Sequence, residues 1–218
     1  MDKSSFVATC SECGVVNCYR RDKKFPPFCL TEAADARQLA AARDRYTGAG
    51  DEARWSRAAA DVEGTYYGRL TRAEEIIAFA NRIGAKKIGI ATCIGLLPET
   101  RIFVKVLRAK GLESVTVLCK VGSIDKCEVG IPDAKKIKPG AHESLCNPIY
   151  QAEYLNGQGT QLNVANGLCV GHDSLFFKNS QAPVTTLITK DRVTGHNPAA
   201  ALYASHFYYQ RLFNNDTL

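Results

Sequence analysis

From Lys87 onward, short apolar runs alternate with helix-start signals, and three of those runs end at a cysteine. Lys87–Thr92 (KIGIAT) leads into Cys93. Pro98 then suits the first turn of a helix that runs to Lys110 and stops at Gly111. Val115–Leu118 (VTVL) closes at Cys119. Asn147 as N-cap, Pro148 at the first helical position and Gly157 as the stop mark the next helix. Leu162–Leu168 leads into Cys169, although Asn163, Asn166 and Gly167 weaken it as a strand. Asp173 is expected to cap a further helix, Val184–Thr189 (VTTLIT) reads as the last strand, and a final helix is expected over 198–213. A strand–helix–strand alternation of this kind demands a parallel sheet covered by helices on both faces, with right-handed crossovers. The expected class is α/β, Rossmann-like or flavodoxin-like.

The region before this alternation differs. Residues 1–30 form a cysteine-rich head without hydrophobic periodicity. Residues 31–70 read as a helical connector with a break near Gly48–Gly50, and 71–218 as the α/β domain. Trp55, Ala59, Val62 and Tyr66 share one helical face. Thr71 and Glu74 have capping-box spacing ahead of a helix whose buried stripe is Ile76, Phe79, Ala80 and Ile83.

With 45% hydrophobic and 23% charged residues the composition is that of a globular protein, and no apolar stretch is long enough for a membrane helix. The N-terminus has no apolar core of a secretory signal, so the expected location is the cytoplasm. There, nine cysteines point to metal or redox chemistry rather than to disulfides. The formal charge of +6 is modest, and the absence of an aromatic-basic recognition motif argues against a nucleic-acid partner. A basic loop, 120–140, suits an acidic redox partner or an anionic small molecule.

Eight cysteines fall into two groups. Cys10, Cys13, Cys18 and Cys29 follow a Cys-x2-Cys-x4-Cys spacing, with the fourth eleven positions beyond the third. Four thiolates suit zinc or an iron–sulfur cluster; with only one Cys-x2-Cys pair, the asymmetry favours a cluster. Cys93, Cys119, Cys146 and Cys169 are dispersed, but each sits where a strand ends or a helix begins. In a parallel sheet those positions share the carboxyl edge, where ligands bind. His172, His196 and Lys190 occupy the same setting as candidate groups that hydrogen-bond to the ligands or handle substrate, and either histidine could also be a ligand or a proton shuttle. Cys127, in the long loop, is set aside.

The strings KIGIATCIGL, VLCKVGSI, CNPIYQAEYLN, GLCVGHDSLF and KDRVTGHNP resemble an uncharacterised prokaryotic family of cysteine-rich proteins described only as metal-binding. The resemblance extends to the CSEC head and implies that the eight cysteines of the two groups belong to the family pattern, with Cys127 a departure. It implies metal binding and no particular reaction. The expected function is a metal protein with one or two iron–sulfur clusters, of 4Fe–4S type, in electron transfer or redox chemistry on a small molecule. Two other readings compete: a zinc-stabilised thiol enzyme, and a non-enzymatic module that senses or delivers metal. Whether the chain is an enzyme stays open on the sequence.

Overall fold

A computed structural model describes residues 9–214; residues 1–8, the start of the cysteine-rich head, and 215–218 lie outside it. The chain divides between Ala60 and Asp61 into two compact units.

In the first unit the cysteine-rich stretch is built from tight turns. A 3-10 turn over Cys10–Glu12 is capped by the Thr9 hydroxyl, which accepts from the Ser11 amide. Val16 and Arg21 adopt left-handed backbone on either side of the single-turn helix α1 (Asn17–Arg20). Asn17 is 2% exposed, and its side-chain amide clasps both backbone groups of Lys23, closing the loop that carries Cys18. Short α2 (Leu30–Ala33) follows Cys29, then α3 (Ala36–Thr47), whose Asp35 N-cap accepts from Gln38 N–H at 2.9 Å. α4 (Asp51–Tyr66) begins after Gly48–Gly50, where the sequence places the break.

In the second unit, α5 (Arg72–Arg82) opens with Glu74 accepting from the Thr71 amide and hydroxyl, at 2.8 and 2.7 Å. Four parallel strands follow: β1 (Lys87–Thr92), β2 (Glu113–Leu118), β3 (Leu162–Asn166) and β4 (Val184–Ile188), in the order β2–β1–β3–β4. They are joined by α6 (Leu97–Ala109), α7 (Pro148–Gly157) and α8 (His172–Asn179). The order reverses direction after β2, so right-handed crossovers put α6 on one face and the mutually packed α7 and α8 on the other. The switch point lies between β1 and β3, the place where open sheets of this kind form a crevice.

Gly89 shows why β1 has its sequence. A Cβ there would run into the Asn163 side chain and approach Leu155 Cδ1 at 3.0 Å, so α7 and β3 close over bare backbone. β3 is buried throughout despite its asparagines, each of which makes at least one side-chain hydrogen bond. The Asn163 amide donates to Ser180 Oγ at 2.8 Å and its oxygen accepts from the Thr160 hydroxyl at 2.7 Å. The Asn166 amide donates to Thr100 Oγ1 at 2.7 Å. Gly167, at φ +70, leaves the strand under Leu96, whose side chain fills the place of a Cβ.

Two sequence expectations need correction. Asp173 does not cap α8: Gly171 is the N-cap, His172 is the first helical residue, and the Asp173 carboxylate accepts from the next amide, Ser174 N–H. The final helix does not run over 198–213. α9 spans only Ala199–Tyr203, and the chain then turns until a 3-10 turn at Gln210–Phe213. Ser205, His206, Phe207, Tyr208 and Tyr209 are middling helix formers, and Phe207 and Tyr208 stack edge-on at 4.7 Å while exposed, so no buried stripe supports a longer helix.

Candidate functional site

At the carboxyl edge of the sheet, backbone hydrogen bonds place three cysteines in succession. Cys93 N–H donates to the Asn166 carbonyl at 3.1 Å, tying the end of β1 to that of β3. Cys119 N–H donates to the Thr92 carbonyl at 2.9 Å, and the Cys119 carbonyl accepts from Asn147 N–H at 2.8 Å, which brings Cys146 alongside. Beneath them lies a buried polar layer. The Gln151 amide, from α7, donates to Val117 O at 2.7 Å and Thr92 O at 3.2 Å, bridging the strands that deliver Cys119 and Cys93. The Thr100 hydroxyl donates to Leu96 O at 2.8 Å and meets the Thr92 hydroxyl at 2.7 Å, which holds the turn after Cys93. Among the described residues, Gln151 Oε1 and Asn166 Oδ1 have no hydrogen-bond partner.

The outcome is a cluster of sulfurs. The Cys119 thiol is hydrogen-bonded to both Cys93 and Cys146. It also accepts from Ile94 N–H at 3.4 Å. The bond from Cys119, helped by the Gly95 amide and Lys190, draws Cys93 down to about 5 against the burial that opposes it. The bond from Cys119 likewise draws Cys146 down to about 5 against burial, with Lys120 and the nearby His172 assisting. Cys119 is pushed up by its two thiol neighbours and by burial. The electrostatic pattern is one thiol held between two thiolates, with cations outside them.

Three cations surround this cluster. Lys120 reaches Cys146 and donates to the Ser144 carbonyl at 2.5 Å. Lys190 reaches Cys93, and its Nζ stands 3.4 Å from where a side chain on Gly95 would begin. Arg192 Nη2 donates to Cys169 Sγ at 3.1 Å, and its charge acts on Cys93 and Cys146 as well. Cys169 therefore joins the site through Arg192 and not through the sulfur cluster. His172 faces Cys146 electrostatically. His196 does something else: at φ +68 it closes its own loop, accepting from Asp191 N–H on Nδ1 at 3.1 Å.

The long loop from 120 to 145 is a brace for this edge. Asp125 accepts from Cys127 N–H and Glu143 N–H at 2.8 Å each and pairs with Lys136, whose side chain is 5% exposed. His142 lies between Asp125 (3.2 Å) and the Ser144 hydroxyl (3.0 Å). Lys126 pairs with Glu143. Two of the loop's lysines are thus neutralised internally, and Lys120 is directed to the thiols. Cys127 is exposed and interacts with Asp125 and Lys136.

In the head, Cys10, Cys13, Cys18 and Cys29 line one cavity of about 90 Å³ together with Pro26 and Phe28. Cys13 Sγ accepts from Val16 N–H at 3.4 Å, a backbone bond made possible by the left-handed turn at Val16. Burial raises Cys29, but hydrogen bonds from Thr31 and the Glu32 amide outweigh it and leave its pKa below the usual thiol value. Among the described residues, no three Cys, His, Asp or Glu side chains stand in a ready-made coordination shell.

Lys120, Gln151, Thr100 and Arg192 are the site residues that motif reading passes over or leaves unassigned. Lys120 directly follows Cys119 and Arg192 lies just beyond the end of β4, which is the one local signal they carry; Gln151 and Thr100 look like ordinary helix residues.

Fold and edge together define a class: a doubly wound α/β protein with cations and cysteine thiols gathered at the carboxyl edge of its sheet. The chain belongs to the family described as protein of unknown function (DUF1847), whose model matches residues 29–187. That stretch takes in the helical connector and stops short of Cys10, Cys13 and Cys18. The chain is also similar to the uncharacterized protein MJ0455 of Methanocaldococcus jannaschii, 52% identical over 146 residues, which are 67% of this chain and 74% of the relative. Among the described residues no helix is long and apolar enough to cross a membrane.

Proposed function

We propose that the protein is a cytoplasmic metal-binding redox protein whose centres are iron–sulfur clusters, one held by the head and a second by the thiols of the sheet edge. The observation that carries this reading is the approach of Cys93 and of Cys146 to Cys119, delivered by three separate loops. Such convergence needs the whole fold, and cysteines that were merely small buried apolar residues would have no reason to meet among cations. The donors are thiols throughout, the ligand type that the proposed groups take. Cys10, Cys13, Cys18 and Cys29 would hold the first, with the Val16 amide polarising Cys13. Cys93, Cys119 and Cys146 would hold the second, with Cys169 as the additional thiol. Thiolate donors select soft or borderline metals, iron–sulfur clusters and zinc among them. Such clusters supply one-electron chemistry over a wide range of potential. The chain's part is to keep the thiols deprotonated, through Lys120, Lys190 and the Cys119 hydrogen bonds, and to shield Cys93 and Cys119 from water by burial.

A zinc-stabilised thiol enzyme is the second reading. The lowered Cys93 and Cys146 thiols, each beside a lysine, are what a nucleophilic cysteine needs. Anaerobic purification followed by iron, sulfide and zinc analysis separates the two. Iron with acid-labile sulfide is expected, part of it lost when Cys93, Cys119, Cys146 and Cys169 are replaced by serine, and the rest when the head cysteines are. Zinc without iron or sulfide would select the second reading, and a chain free of every metal would overturn both.

A further inference from the structure

We infer that Lys190 and Arg192 form a clamp for a small oxyanion, a carboxylate or a phosphate-like group, on the open side of the thiol cluster. The inference rests on the reading of the sheet edge as a ligand-binding thiol site and adds the class of molecule it takes. Both residues leave β4 two positions apart, and both reach sulfurs that come from other strands: Lys190 reaches Cys93, and Arg192 reaches Cys169. A guanidinium carries five N–H donors in a planar fork. Among the described residues Arg192 donates one hydrogen bond, to Cys169 Sγ, and the side chain is exposed, so most of the fork faces solvent at the rim. Lys120, by contrast, is committed to the Ser144 carbonyl and Cys146.

The carboxylates of the adjoining loops do not compete for these cations. Asp191 Oδ1 accepts from Val193 N–H at 2.9 Å and Thr194 N–H at 3.0 Å, inside its own turn. Asp173 accepts from Ser174 N–H at 2.8 Å. Lys190 Nζ lies over Gly95, 3.4 Å from where a side chain there would begin, which places the ammonium at the turn after Cys93. An arginine fork with free donors and an ammonium two residues away on the same exit from β4, neither paired with a carboxylate among the described residues, match two oxygens of one oxyanion. A ligand held there would lie beside Cys93 and Cys169.

The test is isothermal titration calorimetry of the full chain, as purified, with inorganic phosphate and with acetate in separate titrations. Saturable binding of at least one probe is expected. Arg192→Gln and Lys190→Gln should each weaken it by about tenfold or more, the loss expected for one charge-assisted hydrogen-bonded contact. Arg192→Lys, which keeps the charge and removes the fork, should fall between wild type and Arg192→Gln. Lys178→Gln, an exposed charge change on α8, should leave binding unchanged. Preference for phosphate or for acetate would identify the kind of oxyanion. Absence of saturable binding by both probes, or binding indifferent to both Gln variants, overturns the clamp. Metal content measured on the same samples keeps the two proposals apart. Arg192-dependent binding to a chain without metal retains the clamp and removes the metal centre, whereas metal without such binding does the reverse.

Discussion

Replacing Gly89 by alanine tests whether the sheet edge is positioned by close packing of β1, β3 and α7. The added Cβ would overlap the Asn163 side chain and lie 3.0 Å from Leu155 Cδ1. Neither neighbour can yield cheaply. Asn163 and Leu155 are both 0% exposed, and Asn163 is held on one side by Thr160 and on the other by Ser180. Overpacking of this kind costs about 1–3 kcal/mol. Pushing Asn163 off Thr160 leaves a buried acceptor unpaired, which adds about 1–3 kcal/mol. The better strand propensity of alanine returns about 0.5–1 kcal/mol. The net expectation is a loss of about 1–5 kcal/mol, read as a lowered urea midpoint at unchanged slope, or as a fall in Tm of roughly 2–20 °C for a chain of this size. Asn163→Ala on its own should also destabilise. In the Gly89→Ala/Asn163→Ala double variant, however, the alanine Cβ occupies vacated space, so the double loss should be smaller than the sum of the single ones. A neutral or stabilising Gly89→Ala, or strictly additive losses, would refute the packing argument.

Three further outcomes are expected. In metal-free protein, iodoacetamide should still modify Cys93 and Cys146 at pH 6, because both titrate near 5, whereas an ordinary thiol loses reactivity as pH falls below its own higher value; Lys190→Gln should raise the Cys93 midpoint, and peptide mass spectrometry after timed quenching reads both. Thr100→Val removes a hydroxyl that serves Leu96, Thr92 and Asn166 in a buried network, and should destabilise by about 2–3 kcal/mol in urea melts while leaving the side-chain volume nearly unchanged. The Lys136 ion pair and the Cys127 and Glu143 amides hold the Asp125 carboxyl well below the usual carboxylate range. Its depressed folded pKa means that its support of the loop is complete above the ordinary carboxylate pKa and is lost as pH falls through the acid range. Hydrogen-exchange protection over 123–144, taken relative to the intrinsic rate at each pH, should accordingly fall in acid, and in Asp125→Asn at neutral pH; unchanged protection in that variant would show that the loop is held by other contacts.

The helix starts at Pro98 and Pro148 and the capping pair Thr71–Glu74 were legible in the sequence because their determinants are local: a fixed φ, a missing N–H, a side chain three residues from the amide it satisfies. The same holds for the parallel strand order as a class, since apolar runs separated by helices leave a chain few other ways to bury both faces of a sheet. The overlong final helix was misread because propensity and Pro198 speak for a start, while helix length depends on what a stripe packs against.

The amino-acid sequence by itself determined the α/β class and the placing of Cys93 and Cys119 directly after strands. Tertiary structure alone decided which thiols meet. Hydrogen bonds between strands, and from Gln151 across them, bring Cys93, Cys119 and Cys146 into contact and leave Cys169 to Arg192. His196, so like His172 in its sequence surroundings, is turned by a left-handed backbone into its own loop. The physical reason is one of range. Backbone conformation is set by neighbours a few residues away, whereas the acidity of a thiol is set by whatever charge the fold brings within a few ångströms of it.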